Sequence, residues 1–90
     1  MTPFTFTSET SHRLLQDLDN GHTVKLAKAN RSAVILRDGI DPDEFGDRIY
    51  RMTIQPAEGE PIVKRVPMNA TDMFHFLMYE QFAEYEIVKA

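Results

Sequence analysis

Between Thr23 and Met68 the chain alternates apolar and polar residues in stretches separated by turn-forming residues, and this two-residue period commits the middle of the molecule to a sheet. Val24 and Leu26 alternate with Lys25 and Ala27, and Tyr50, Met52 and Ile54 alternate with Arg51 and Thr53. Ala33-Val34-Ile35-Leu36 is apolar at every position, the pattern of a central strand covered at least in part on both sides. Ala29-Asn30-Arg31-Ser32 is the expected turn between the first two strands. Pro56-Ala57-Glu58-Gly59-Glu60-Pro61 is a hairpin loop whose prolines stop both flanking strands. The strand from Ile62 to Met68 carries Pro67, which lacks an N–H for the ladder and therefore belongs at a sheet edge or outside the ladder.

The flanks change period. Phe4-Thr5-Phe6-Thr7 alternates like a short, half-buried strand. Ser8 offers an N-cap oxygen, Glu9 places a negative charge in the first turn, and Leu14, Leu15 and Leu18 recur at helical spacing with Ser11 on the same face. Asn20-Gly21 closes that helix, since glycine enters the left-handed region at little cost. Thr71 or Asn69 caps a second helix running to about Phe82, and Ala83, Tyr85 and Ile87 alternate with Glu84, Glu86 and Val88 in a terminal strand. The order is β-α-β-β-β-β-α-β. Hairpin-linked strands with two helices predict the α+β class, a mostly antiparallel sheet of five to six strands in a single domain over residues 1–90.

Composition narrows the setting. Ninety residues suffice for one core and leave little stability in reserve. The absence of cysteine excludes disulfides, thiolate metal sites and thiol nucleophiles, and favours a reducing compartment. Met1 to Ser8 shows no basic run followed by an apolar stretch, and no segment reaches the roughly 18 apolar residues of a membrane span. A cytoplasmic location is the expectation. The net charge of −4 opposes non-specific attraction to nucleic acid or anionic membrane.

Four features bear on function. The second helix, from Met73 to Phe82, is apolar nearly all round: Met73, Phe76, Leu77 and Tyr79 fall on one broad side, and Phe74, Met78 and Phe82 form another stripe at i, i+4, i+8. One sheet cannot cover both, so the first helix covers the second stripe or a partner does; phenylalanine and methionine also suit adaptable binding surfaces. Eight of the ten basic residues lie between Lys25 and Arg65. With Val24, Leu26, Tyr50, Met52 and Ile54 inward, Lys25 and Arg51 face outward and Arg65 joins them; with Lys64 they make a candidate phosphate-tracking set. Exposed aromatics for base stacking are missing beside them. Asp41-Pro42-Asp43-Glu44-Phe45-Gly46 starts like a calcium loop, then fails where Phe45 and Met52 occupy ligand positions. His12, His22 and His75 match no compact zinc spacing.

These features predict a non-enzymatic protein-interaction module, a small regulator or accessory subunit, that meets another protein or a second copy of itself through Phe74, Met78 and Phe82 or through an uncovered sheet edge. The alternative is a nucleic-acid-binding domain using Lys25, Arg51, Lys64 and Arg65. A second alternative, a small enzyme or ligand carrier, requires a concave pocket with converging polar groups. No catalytic residue, cofactor or metal is assigned.

Overall fold

The computed structural model describes residues 2–39 and 47–88. The elements follow in the order β1 (Thr2–Pro3), α1 (Ser8–Asp19), β2 (Thr23–Lys28), β3 (Arg31–Arg37), β4 (Arg48–Pro56), β5 (Ile62–Met68), α2 (Ala70–Glu80) and β6 (Glu84–Val88). The strands form one six-stranded sheet in the order β1-β6-β2-β3-β4-β5, every neighbouring pair antiparallel. This is an α+β domain with the expected element order.

Both helices pack on one face of the sheet. Alternation turns Val24, Leu26, Ala33, Ile35, Tyr50 and Met52 toward that face, where they meet Leu14 and Leu18 of α1 and Met73 and Leu77 of α2 in a single buried cluster. Burial of each valine, leucine, isoleucine or methionine side chain in that cluster stabilises the fold by about 1.5–3 kcal/mol. Among the described residues no helix lies on the opposite face. Val34 and Leu36 point to it and are half-buried among neighbouring strand side chains, so the run at 33–36 is covered by the helices on one side and in part by strand neighbours on the other.

Several boundaries move for local reasons. The first strand lies at Thr2–Pro3 and not at 4–7, because Thr7 is taken by the helix: its side chain accepts the Thr10 N–H at 3.0 Å, and Thr10 Oγ1 accepts the Thr7 N–H at 2.9 Å. That reciprocal capping box, built with threonine, makes Thr7 the N-cap in place of Ser8. Phe4 goes into the core and its N–H donates to the Ala83 carbonyl at 2.7 Å. β2 and β3 pair as far as Lys28 and Arg31, shortening the expected turn to residues 29–30. Asn69 caps α2, accepting the Asp72 N–H at 2.8 Å. The helix stops at Glu80, where Gln81 adopts φ 52°, so Phe82 lies beyond it.

Candidate interaction edge

The stripe expected on α2 is divided by that stop. Phe82 leaves the helix axis and is 3% exposed, packed against Phe76 and beneath the Lys28 ammonium, which lies 5.7 Å from its ring centre. Phe74 is half-buried, its ring edge-on to Phe6 at 4.8 Å. Met78 is 46% exposed and rims a hollow of about 440 Å³ with Phe4, Phe6 and Phe82. The structure therefore brings Met78 and Phe82 to one hollow, with Phe82 in its floor, and turns Phe74 toward α1.

The basic set is also divided. Lys25 stands on the helix-free face between Val34 and Glu86. Arg51 and Arg65 are direct cross-strand partners on that face, and both converge on Asp38: Arg51 Nη2 lies 3.4 Å from Asp38 Oδ2, and Arg65 Nε donates to the same oxygen. Lys64 pairs with Met52 and so occupies the opposite, helix-bearing face. Asp38, at the end of β3, thus offsets part of the positive charge that sequence spacing assembled.

Two further ion clusters secure the helix ends. Asp19 closes α1, where a negative charge opposes the helix dipole; Arg37 Nη1 at 3.4 Å, Arg48 Nε at 3.3 Å and the Tyr50 hydroxyl at 3.4 Å all reach its Oδ1. Burial, reinforced by the Asp19 charge, pushes the Tyr50 hydroxyl up to about 12, with Arg48 and Arg37 pulling the other way. At the end of α2, Glu80 receives Lys28 and Arg31, each at 3.2 Å. These groups are committed to holding the fold. Among the described residues no three His, Asp or Glu side chains gather to hold a metal ion, and no helix is long and apolar enough to cross a membrane. The calcium-like segment 41–46 lies outside the described residues.

Among the described residues the longest unpaired strand edge is that of β5. The sheet is wider than its helices, and β5 is its last strand, beyond the reach of α1. Ile62 is 47% and Val63 62% exposed. A trough of about 440 Å³ runs between β5 and α2 over an apolar floor of Met52, Ile54, Val66, Met68 and Phe76, with Lys64 and Ile62 on the strand side and the ion-paired Arg31 of β3 and Glu80 also in its lining.

The hydrogen-bond parity of the sheet shows what the edge presents. Asp38 N–H donates to the Ile49 carbonyl at 2.8 Å, so the odd-numbered residues of β4 turn their peptide groups toward β3 and the even-numbered ones toward β5. The β5 partners of the even residues are Ile62, Lys64, Val66 and Met68. Val63, Arg65 and Pro67 therefore aim their peptide groups outward. Pro67 sits where its missing N–H costs the ladder nothing, and Val63 and Arg65 present N–H and C=O groups to any strand laid alongside. The sequence signal for this edge was Pro67; the trough beside it had none, since its lining is drawn from three strands and a helix.

No family model, curated protein or solved structure matches the chain. Its geometry is the basis for any functional reading.

Proposed function

We propose that the protein is a non-enzymatic protein-interaction module that takes an extended segment of a partner protein along β5. The observation that carries this reading is the exposed apolar edge strand, with its outward peptide groups at Val63 and Arg65, lying beside a trough that side chains of an added strand can enter. Strand addition draws affinity from main-chain hydrogen bonds and selectivity from alternate side chains in pockets, and β5 offers both. The cysteine-free composition fits a module working in the cytoplasm.

Selection from a displayed library of random unstructured peptides tests the reading. Peptides enriched on the wild-type chain should be lost on Val63→Pro, which deletes an outward donor and leaves the β4–β5 ladder bonds in place. In the bound state the Val63 and Arg65 amides should become protected from hydrogen exchange. Failure to enrich any peptide, or enrichment indifferent to Val63→Pro, removes this function.

A further inference from the structure

The edge also states what chemistry its occupant carries, a step that rests on the strand-addition reading above. Ile62, Lys64 and Val66 share the trough side of β5, so an added strand meets them in the order apolar, cationic, apolar. Lys64 is exposed and has no ion-pair partner among the described residues, whereas Arg65 on the other side is engaged by Asp38. We infer that the partner segment is an acidic one, carrying a carboxylate opposite Lys64 and apolar side chains two residues to either side, an apolar-x-acidic-x-apolar strand.

A second copy of the chain is a poor occupant of the same edge. Two β5 strands paired about a two-fold axis at Lys64 or Arg65 set identical cations directly opposite one another, which is destabilising. An axis at Val63 or Val66 avoids this, but the first leaves only the first half of the strand paired and the second sets Arg65 opposite Pro67, which has no N–H to give. Lys64 and Arg65 thus discourage self-pairing, as lysines on edge strands commonly do, and Lys64, whose charge is not offset among the described residues, selects for a carboxylate opposite itself.

Synthetic peptides of alternating pattern that differ only in Glu, Gln or Lys at the central position, titrated by fluorescence anisotropy, test this. On the wild-type chain the Glu peptide should bind about two- to fivefold more tightly than the Gln peptide, the Lys peptide should be weakest, and the difference should shrink as salt rises. On Lys64→Glu the order should invert, and Lys64→Met should abolish the preference. Equal binding of Glu and Gln peptides that still depends on Val63 overturns the acidic assignment and leaves strand addition standing. Absence of all Val63-dependent binding overturns both. A mass in solution that rises with concentration and is reduced by Val63→Pro overturns the assignment in favour of a second copy.

Discussion

Lys28 Nζ, at the end of β2, donates to the Glu80 carbonyl oxygen at 2.8 Å and lies 3.2 Å from the carboxylate of the same residue. One side chain from the sheet thereby satisfies the last carbonyl of α2 and places a positive charge at a helix end that has no basic residue in its last turn. Arg31 joins the carboxylate from across the hairpin, so the β2–β3 turn and the helix end are held together through Glu80.

Glu80→Gln should therefore be costly. The Glu80 side chain is 10% exposed and neutralises two cations at once. Its loss leaves them partly buried without a counter-charge, although the exposure of Lys28 and Arg31 moderates the penalty. A destabilisation of about 1–3 kcal/mol in urea unfolding is expected, and an unchanged midpoint would show the cluster to be dispensable.

Tyr50 sets an alkaline limit. Its hydroxyl is neutral in the folded chain until about pH 12, while in the unfolded chain it ionises near its ordinary 10. The folded state thus binds more protons than the unfolded state between those values, and stability falls as pH rises through that window and is unaffected below it. The loss is about 2–3 kcal/mol at most. Tyr50→Phe should flatten this part of the pH profile relative to wild type, as followed by denaturant melts between pH 9 and 12.

Substitutions along the former stripe should separate sharply. Phe82→Ala empties a site in the core and should cost about 3–5 kcal/mol. Met78→Asp, on a half-open side chain, should cost less than about 1 kcal/mol and leave the fold intact. Comparable thermal shifts for the two would contradict the division of the stripe between core and surface.

Asp38→Asn tests the helix-free face. Freeing Arg51 and Arg65, both well exposed, should change stability by less than about 1 kcal/mol. Neither form should retard short single- or double-stranded oligonucleotides in an electrophoretic assay at low salt, given the net charge of −4. Salt-sensitive retardation by wild type, enhanced in Asp38→Asn, would instead make Lys25, Arg51 and Arg65 a binding face.

The local parts of this fold were readable because their causes are local. Alternation at Val24, Leu26, Tyr50, Met52 and Ile54 named the buried face of the sheet, Leu14 and Leu18 the buried side of α1, and Pro67 an edge. Thr7 was misread as the end of a strand because a threonine at the third helical position, Thr10, closes a capping box as well as glutamate does. The stripe through Phe74, Met78 and Phe82 assumed a helix about two residues longer than α2.

The residue pattern by itself determined the α+β class, the element order and most of the core, since periodicity records which side of each element must leave water. Tertiary structure alone decided that β6 inserts between β1 and β2, that both helices share one face, and that β5 is left with an open edge beside a trough. It also decided charge: Asp38 and Glu80 meet cations far along the chain. Such pairings depend on which strands become neighbours, and strand order is settled by the packing of the whole sheet and not by any one segment's sequence.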